Sequence, residues 1–404
     1  MEKTERILLV IPHMVGGGAE RVASLLMNSF ADAGYRTEMA LTGDRREDVI
    51  RCDLDERTEL LLVPELTPPE TAARRLFYDG FLKTLTYIVC KPFEYAGLPV
   101  PAECARLSLT VQYRREIRWL RERMLKDPSL SVISFLQPAI PISLLAAVGL
   151  PNRVIFSERG DAQRLMKKRY GRKFVEKYYR RADAAVFQTE FARDAYPAAV
   201  ACKGRVIPNP LRGGLPVPFD GERKKRISTF CRISRQKNLP LLVEAFSRFY
   251  IEHPEYTLRI IGGGSGEEGE AVESALREQI RSLGLTEAVR MEPFSKNVHE
   301  QILEDAMYVN SSDFEGLSNA MLESMAIGLP VICTDCPVGG ARATIEDRVN
   351  GLLVPMNDPE ALCAAMKRLA EDPRLAQELS ENARKLRETC SLSAIAARWM
   401  ELLK

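Results

Sequence analysis

The chain is poor in histidine and tryptophan: its 404 residues include three histidines and two tryptophans. With only His13, His253 and His299 available, a metal centre built from several histidines is not expected. The nine cysteines are an odd number spread over the whole chain, which is typical of small apolar residues in a reducing compartment and not of a disulfide framework. The one close pair, Cys333 and Cys336, has no second pair with which to bind zinc and no Trp or Pro between its thiols. We interpret both as core residues rather than as a redox motif.

Long uncharged apolar runs are also scarce. The N-terminal sequence is charged and enters a strand-like run directly, without the apolar stretch and small-residue cleavage site of a signal peptide, so none is expected. Pro128–Asn152 has no charged residue and is long enough to span a bilayer. Because Pro138, Pro141 and Pro151 interrupt it, we interpret this run as a strand, a turn and a helix inside an α/β domain.

Charge is balanced overall but not along the chain. The 57 basic and 55 acidic residues give a net charge of +2. Residues 1–210 contain 33 basic and 26 acidic residues, a net charge of +7, and the remainder therefore carries −5. This asymmetry suggests that the first half faces an anionic partner.

Short β-branched runs alternate with helical patterns throughout, which is typical of parallel βαβ units. The predicted elements include the strand Thr257–Ile261 and the helices Leu239–Glu252 and Leu317–Ile327. The length allows two or three domains. We predict an α/β protein of two doubly wound Rossmann-like domains facing a cleft. The predicted domains are residues 1–210, with a helical insertion at 64–128, and residues 217–388; a final helix lies within 389–404.

Two segments of the first half raise the question of a membrane or nucleic-acid partner. Within the insertion, Thr71–Cys90 and Pro101–Leu125 read as helices rich in arginine and aromatic residues, either lying in a membrane interface or packing as an ordinary insertion. The stretch Arg164–Arg181 is strongly basic with interleaved aromatic residues. This stretch could bind nucleic acid, anionic lipid or a lipid-linked diphosphate, or it could be a solvent-exposed helix face that binds nothing. The net charge of +7 in the first half favours lipid or diphosphate over nucleic acid.

Glycine-rich and charged turns follow several predicted strands. Gly16-Gly-Gly-Ala-Glu-Arg-Val22 follows the first strand and opens a helix, where free backbone N–H groups can meet an anion. Its spacing is not that of a nicotinamide dinucleotide fingerprint. Gly262–Gly266 predicts a tight turn with weak phosphate-binding capacity. Arg232 and Lys237 follow the first strand of the second domain and offer two cations to a diphosphate.

The most informative motif is Asp313-Phe-Glu-Gly-Leu-Ser-Asn-Ala-Met-Leu-Glu323. If it is helical throughout, Glu315 and Glu323 lie about 12 Å apart along the axis. This separation is too large for the paired carboxylates of a glycoside hydrolase and suits one carboxylate on a sugar and one on a ribose. The N–H groups near Leu317–Asn319 would hold the phosphate between them. The alternative to ligand binding is a structural role for both residues, in which one glutamate caps the helix and the other is exposed to solvent.

The D-x-D pair, Asp53 and Asp55, does not follow a convincing strand, and we predict no metal site there.

Together these motifs resemble the large family of retaining GT-B-fold glycosyltransferases with an E-x7-E motif (family four), which includes enzymes of bacterial capsule, O-antigen and exopolysaccharide synthesis. The resemblance covers nearly the whole chain. It implies that residues 1–210 bind the acceptor, that residues 217–388 bind the nucleotide sugar, and that the final helix within 389–404 returns toward the N-terminal domain. Besides the motifs already described, it rests on Ser157-Glu-Arg-Gly-Asp161 and Ile207-Pro-Asn-Pro210.

The resemblance implies roles for particular residues. Arg232 and Lys237 would bind the donor diphosphate, Glu315 the donor sugar and Glu323 the ribose hydroxyls. The remaining donor-binding candidates are Gly16, Gly17, Gly263, Pro293, Phe294, Leu317, Ser318 and Asn319. No metal and no cofactor are implied, because side chains and helix ends neutralise the diphosphate.

One motif departs from the family. Many relatives carry a histidine after the strand that here ends in Ser157, Glu158 and Arg159. This variant resembles a polysaccharide-synthesis branch, and Glu158 and Arg159 are the candidates for assisting at the sugar.

The resemblance also implies an activity and a location. The donor would be a UDP- or GDP-type sugar, and the acceptor a glycan, polyprenyl-diphosphate-linked in keeping with the basic first half. The expected location is cytoplasmic and peripheral on the inner face of the cell membrane, with no nucleic-acid partner. A sugar-nucleotide epimerase of the same fold, a non-catalytic binding subunit and a nicotinamide oxidoreductase are the alternatives.

Overall fold

The computed structural model describes residues 5–43, 49–51, 53–67, 76–95, 98, 100–161, 165–166, 171–264 and 266–404. The chain divides into two compact units, one of residues 1–210 and 395–404, the other of residues 211–394. The sequence patterns predict that the first domain ends at residue 210, that the second begins at 217, and that the final segment begins at 389. In the structure the last ten residues belong to unit 1.

Unit 1 contains a seven-stranded parallel sheet with the order β3-β2-β1-β4-β5-β6-β7. The first strand lies between β2 and β4, so that Leu9 is beside Met39 on one side and Ile133 on the other. The strands are β1 Arg6–Ile11, β2 Arg36–Leu41, β3 Glu59–Leu62, β4 Ser131–Phe135, β5 Val154–Ser157, β6 Ala184–Phe187 and β7 Gly204–Val206.

Helices cover both faces of this sheet. Apolar residues of the strands alternate between two cores, one including Phe30 and Trp399 and the other including Phe156 and Tyr179. The α-helices of unit 1 are Gly18–Asp32, Val63–Leu66, Lys83–Tyr95, Ala102–Gln112, Arg114–Lys126, Ala139–Ala146, Gly171–Tyr178, Glu190–Asp194 and Ala198–Ala201, with a π-helix at Leu76–Leu82 and a 3-10 turn at Tyr179–Arg181.

The C-terminal segment is fastened to unit 1 by one large side chain and two backbone contacts. Trp399 is fully buried, and its ring centroid lies 5.7 Å from that of Phe135. Arg153 donates a hydrogen bond to the Leu402 carbonyl oxygen at 2.8 Å, and Arg398 donates to the Val206 carbonyl oxygen. Removing a buried aromatic ring of this size costs about 3–5 kcal/mol, so this segment is an integral part of the unit.

Unit 2 is built on six strands: β8 Lys224–Phe230, β9 Thr257–Ile261, β10 Val289–Glu292, β11 Asp305–Asn310, β12 Val331–Thr334 and β13 Leu352–Val354. They form one parallel sheet with the order β10-β9-β8-β11-β12-β13. The α-helices are Leu239–Glu252, Gly266–Ser282, Val298–Ile302, Asn319–Ala326, Gly340–Thr344, Pro359–Glu371, Pro373–Ala383, Leu386–Thr389 and Leu392–Met400, the last of which runs into unit 1, with a 3-10 turn at Arg235–Lys237.

Most predicted elements are present within two or three residues of their expected ends. The uncharged run Pro128–Asn152 forms β4 and the helix Ala139–Ala146, which confirms its interpretation as part of an α/β domain. Of the predicted helix Thr71–Cys90, residues 71–75 lie outside the described part of the chain. Among the described residues, no helix is both long and apolar enough to cross a membrane.

Candidate functional site

The sequence motifs of unit 2 meet at the carboxyl edge of its sheet. The loops after β8, β9, β11 and β12 all leave the sheet at this edge because the strands are parallel. Two of these loops carry the predicted donor-binding charges: residues 231–238 after β8, and residues 311–318 after β11.

An ion pair joins these two loops. The Lys237 Nζ lies 2.5 Å from Glu315 Oε2, and the two side chains are 16% and 18% exposed. Burial alone would lower the pKa of Lys237, but the adjacent Glu315 carboxylate outweighs it, so the pKa of Lys237 is held above its ordinary value. The structure thus brings together two residues that are 78 positions apart in the sequence.

Further hydrogen bonds, none of which involves the Lys237 or Glu315 side chain, fix the same two loops to each other. Asn238 adopts a left-handed conformation (φ 41°) and donates to Asp313 Oδ1 at 2.7 Å. Gln236 donates to the Phe314 carbonyl oxygen at 2.8 Å, and its own carbonyl oxygen accepts from the Asp313 N–H at 2.9 Å. These contacts hold Lys237 and Glu315 in place independently of their charge.

Arg232 is the other predicted diphosphate ligand. Its side chain is exposed, and its positive charge acts on Lys237 from the same loop. The arrangement therefore presents one exposed cation and one cation already paired with a carboxylate.

The helix expected to begin at Leu317 begins instead at Asn319, so Glu315 is in the loop before it. Glu315 and Glu323 therefore do not lie on one helix, and the continuous helix from which a separation of about 12 Å was expected is absent. The physical reason is the helix cap: Ser318 has extended backbone, and its hydroxyl accepts a hydrogen bond from the Met321 N–H at 3.3 Å.

A close backbone approach fixes the loop before this helix. A Cβ atom on Gly340 would overlap the Gly316 carbonyl oxygen, so only glycine fits at position 340. Leu317, within this loop, has a buried side chain, and Asn319, the first residue of the helix, is partly exposed. The helix N-terminus next to Glu315 is therefore held rigidly at the edge of the sheet.

The second carboxylate of the motif, Glu323, is buried and faces a histidine. Its Oε2 lies 2.8 Å from His299 Nε2, and both side chains are almost fully buried. The His299 ring meets Phe230 edge to face, with centroids 5.4 Å apart. Sequence reasoning missed His299 as a site residue, because its partner is 24 positions away and no local motif links them.

The remaining donor-binding candidates of unit 2 lie at the same edge. Gly263 accepts a backbone hydrogen bond from the Ile233 N–H at 3.0 Å, which ties the glycine turn to the loop carrying Arg232. Pro293 and Phe294 follow β10 and are exposed. Their contact with a donor stays a prediction.

In unit 1, Glu158 and Arg159 follow β5, and their side chains have different surroundings. Glu158 is buried: its Oε1 accepts the backbone N–H groups of Arg159 and Gly160, and its Oε2 accepts from Gln137 at 2.9 Å. Burial and then the Glu158 charge raise the pKa of the neighbouring Tyr179 hydroxyl. Glu158 therefore accepts hydrogen bonds from its own loop and from Gln137 in the loop after β4.

Arg159 lies against an aromatic ring instead of a carboxylate. Its guanidinium carbon is 4.4 Å from the Phe135 ring centroid, and Nη1 donates to Asn209 Oδ1 at 2.5 Å. Burial lowers the pKa of Arg159 to about 9, so it is still a cation at neutral pH. Asn209 belongs to the Ile207-Pro-Asn-Pro motif, which the structure thereby connects to Ser157-Glu-Arg.

The glycine-rich turn after β1 encloses a carboxylate of its own chain. Glu20, in the first turn of helix Gly18–Asp32, is buried, and a Cβ atom on Gly17 would overlap its carboxylate. His13 Nδ1 lies 3.0 Å from Glu20 Oε1. Gly16 has φ 86°, which glycine adopts without strain. Contact of Gly16 and Gly17 with the donor stays a prediction.

Other motifs have structural partners. Asp55 of the D-x-D pair forms an ion pair with Arg57 at 2.8 Å.

Cys333 and Cys336 are buried and form no disulfide, and burial raises the pKa of the Cys336 thiol to about 11. Both observations agree with the interpretation of the two cysteines as core residues. Within the described residues no group of three or more His, Cys, Asp or Glu is placed to hold a metal ion.

The basic stretch Arg164–Arg181 is described only in part, since residues 164 and 167–170 lie outside the described chain. Within the helix Gly171–Tyr178 and the following turn, the aromatic side chains Phe174, Tyr178 and Tyr179 are buried. They are therefore not placed to stack on nucleic-acid bases, whereas Lys173 and Arg180 are exposed.

Part of the chain is similar in sequence to known glycosyltransferases. Residues 218–386 match the family model described as glycosyl transferases group 1. An uncharacterized glycosyltransferase of Haemophilus influenzae is 25% identical over 179 residues, covering 44% of this chain and 49% of the relative. The N-acetylgalactosamine-N,N'-diacetylbacillosaminyl-diphospho-undecaprenol 4-alpha-N-acetylgalactosaminyltransferase of Campylobacter jejuni is 29% identical over 162 residues, covering 40% of this chain and 42% of the relative. The chain spans half or less of the length of these curated relatives.

Solved structures are similar over the whole chain. The Anabaena Alr3699/HepE complex with UDP and glucose has a TM-score of 0.74 at 16% identity, covering 99% of both chains. TarM has a TM-score of 0.75 at 13% identity, covering 100% of this chain and 99% of that one. At these identities the similarity describes the fold. The family model matches residues 218–386, and the two curated relatives match less than half of the chain. The fold of the chain is that of the GT-B glycosyltransferases.

Proposed function

We propose that the protein transfers a sugar from a nucleoside-diphosphate sugar to a hydroxyl group of a glycan acceptor. The observation that carries this proposal is the Lys237–Glu315 pair beside the capped N-terminus of helix Asn319–Ala326. A cation, a carboxylate and a helix N-terminus at one edge offer complementary contacts to the diphosphate and hydroxyl groups of such a donor.

In the proposed mechanism, Arg232 and Lys237 bind the diphosphate and stabilise the charge that develops on it as the bond to the sugar breaks. Glu315 contacts the donor sugar and Glu323 the ribose. We propose transfer with retention of the anomeric configuration, in which the leaving phosphate assists attack from the same face. Because these cations serve the diphosphate, transfer is expected to persist in EDTA.

The donor is proposed to be a UDP- or GDP-type hexose. The similar Anabaena protein was crystallised in complex with UDP and glucose, which supports a uridine nucleotide as the first to test. Nothing in the charges of the edge loops distinguishes the two bases.

The acceptor is proposed to be lipid-linked and the enzyme to work in cell-surface polysaccharide synthesis. The relative in Campylobacter jejuni is named for a diphospho-undecaprenol acceptor. In this chain, the net charge of +7 over residues 1–210 fits an anionic partner.

We further propose that unit 1 binds the inner face of the cell membrane peripherally from the cytoplasm. Phe77, Phe81 and Ile88 are exposed along helices Leu76–Leu82 and Lys83–Tyr95, and the two phenylalanine rings stack with centroids 5.8 Å apart. Exposed apolar side chains of this kind enter the headgroup region of a bilayer. Flotation with phosphatidylglycerol-containing vesicles should be lost in the Phe77→Ser/Phe81→Ser variant and kept in the control Ile251→Ser; equal flotation of both contradicts this site.

The central test is a thermal-shift panel of UDP, GDP, ADP and their sugars, followed by an assay of free-nucleotide release with membrane extract. We expect one base to stabilise the protein and its sugar to release nucleotide only when acceptor is present. Absence of any shift, or unchanged turnover in both Lys237→Ala and Glu315→Ala, overturns the proposal. Conversion of the nucleotide sugar without acceptor and without release of diphosphate would instead identify an epimerase.

A further inference from the structure

A buried serine lies next to the ion pair that joins the two edge loops of unit 2. Ser312 immediately precedes the motif Asp313–Glu323 and is almost fully buried. Its hydroxyl oxygen lies 3.2 Å from Glu315 Oε2, the same carboxylate oxygen that Lys237 contacts at 2.5 Å. The Glu315 carboxylate is therefore within reach of a neutral donor as well as a cation.

The same hydroxyl group has a second acceptor. Ser312 Oγ lies 2.6 Å from Oδ1 of Asn310, the last residue of β11, which is closer than its distance to Glu315. A serine hydroxyl has one hydrogen, so it donates to one of these two oxygens at a time. The shorter distance favours Asn310 while Glu315 is paired with Lys237.

Asn310 can lose this hydrogen bond without being left unpaired. Its Oδ1 also accepts the backbone N–H of Ser312 at 3.1 Å, which identifies the atom facing the serine as the amide oxygen. The carbonyl oxygen of Ser312 is held separately, because it accepts from the Thr334 hydroxyl at 2.6 Å. Turning the hydroxyl from Asn310 to Glu315 therefore needs no movement of the backbone.

Binding of a diphosphate changes the surroundings of the Glu315 carboxylate. The Lys237 ammonium has three N–H groups and can contact both anions, but its charge is then shared between the carboxylate and the diphosphate. The new anion also repels the carboxylate. Because Glu315 is mostly buried, solvent compensates only part of this change. A hydrogen bond to the charged carboxylate is then worth more than one to the neutral amide of Asn310.

We infer that Ser312 is a positioning residue for Glu315, and that its hydroxyl turns from Asn310 to Glu315 Oε2 when a diphosphate binds at Lys237. The inference rests on the proposed function, in which Lys237 and Glu315 serve the donor, and it adds to them a residue that acts only through Glu315. Ser312 holds the carboxylate charged and in place while the cation serves the diphosphate.

The test is a double-mutant cycle on ligand affinity. Inorganic pyrophosphate, UDP and GDP are titrated into wild type, Ser312→Ala, Glu315→Gln and the double variant. Ser312→Cys is a second single variant, since a thiol is a weak donor of similar size. The matched control is Ser228→Ala. Ser228 is fully buried and donates to Asp305, a carboxylate paired with Arg226, but Asp305 begins β11 at the opposite edge of the sheet.

We expect Ser312→Ala and Ser312→Cys to weaken each ligand that wild type binds by about five- to tenfold, because a charged acceptor replaces a neutral one on binding. In the Glu315→Gln background the acceptor stays neutral, so Ser312→Ala should change affinity less than about twofold. A merely structural serine would weaken binding equally in both backgrounds. Ser228→Ala should lower the urea midpoint and leave affinity unchanged.

A second measurement needs no ligand. In Lys237→Met the carboxylate has lost its cation, so the Ser312 hydroxyl should already donate to Glu315. Ser312→Ala should therefore lower the urea midpoint about twice as much in the Lys237→Met background as in wild type.

Unchanged affinity in Ser312→Ala and Ser312→Cys, equal weakening in both backgrounds, or equal midpoint shifts overturn the inference. They leave the proposed function intact when wild type binds a nucleotide, because Lys237 and Glu315 are tested there by their own variants. A wild-type protein that binds neither pyrophosphate nor any nucleotide of the panel overturns the proposed function and this inference with it.

Discussion

The ion pair between Lys237 and Glu315 predicts opposite effects of its two members on diphosphate binding. In the structure the Lys237 ammonium is already neutralised by Glu315 at 2.5 Å. Replacing Glu315 with glutamine frees the ammonium for an anion, so Glu315→Gln should bind UDP or GDP more tightly than wild type. Lys237→Met removes a charge-assisted contact worth about 1.5–3 kcal/mol, or roughly 10- to 150-fold in affinity. Both variants should lose transfer.

The same pair predicts coupled effects on stability. Fully buried pairs cost about 3–5 kcal/mol when one partner is removed, and exposed pairs about 0–1 kcal/mol. The Lys237 and Glu315 side chains are 16% and 18% exposed, which places this pair between the two limits. Each single variant should therefore lower the free energy of unfolding by about 2 kcal/mol. The double variant Lys237→Met/Glu315→Gln leaves no unpaired charge, so it should be more stable than the sum of the single effects predicts.

The free energy of unfolding is measured by urea denaturation, and the affinity for UDP and GDP by titration. Both are measured for wild type, the two single variants and the double variant. Lys367→Met is the matched control, because Lys367 pairs with Glu252 at 2.6 Å on an exposed surface. A coupling energy below about 0.5 kcal/mol, together with weaker UDP and GDP binding in Glu315→Gln, would refute the reasoning.

The pH dependence of this pair has a defined sign. Because the folded-state pKa of Lys237 is raised, its contribution to stability is complete below the unfolded-state pKa and is lost as pH rises through the folded-state value. The stability difference between wild type and Lys237→Met should therefore be constant from pH 6 to pH 9 and shrink only above about pH 10.5.

Three further predictions follow from the geometry. His299→Leu should reduce the discrimination between UDP and its 2′,3′-dideoxy analogue, whereas His299→Gln, which can still donate to Glu323, should retain it; pyrophosphate affinity should not change in either. Gly340→Ala should displace the Gly316 carbonyl and lower both melting temperature and nucleotide affinity, since backbone cannot yield as a side chain can. Iodoacetamide at pH 8 should label the exposed Cys202 before the buried cysteine pair of unit 2, as read by peptide mass spectrometry.

Periodicity and turn residues were sufficient to predict most of the fold. The helix Leu239–Glu252 and strand Thr257–Ile261 have the expected ends, because each joins a clear apolar pattern to a recognisable boundary. The strand Gly204–Val206 was missed. It has three residues, none of them fully buried, so it carries no alternating apolar signal.

The candidate site was predictable as a set of loops but not as a set of contacts. Ser318 is a recognisable N-cap residue and could have indicated that the helix begins after Glu315. The three-residue spacing from Gly17 to Glu20 could likewise have indicated a carboxylate folded back on the helix start. His299 could not have been found this way, because it lies in helix Val298–Ile302 before β11 and Glu323 lies in the helix after β11, and only the tertiary fold brings the two helices together.

The two helix starts that carry glycine-rich or motif residues differ in charge, and this difference predicts which of them is better suited to an anion. Helix Gly18–Asp32 has the buried carboxylate of Glu20 in its first turn. Helix Asn319–Ala326 has no acidic residue in its first turn and is capped by the neutral hydroxyl of Ser318. Since a helix N-terminus carries a partial positive charge, only the second keeps this charge for a phosphate. Of these two helix starts, that of Asn319–Ala326 is therefore the better candidate for binding an anion, whereas the Glu20 carboxylate offsets the dipole of helix Gly18–Asp32.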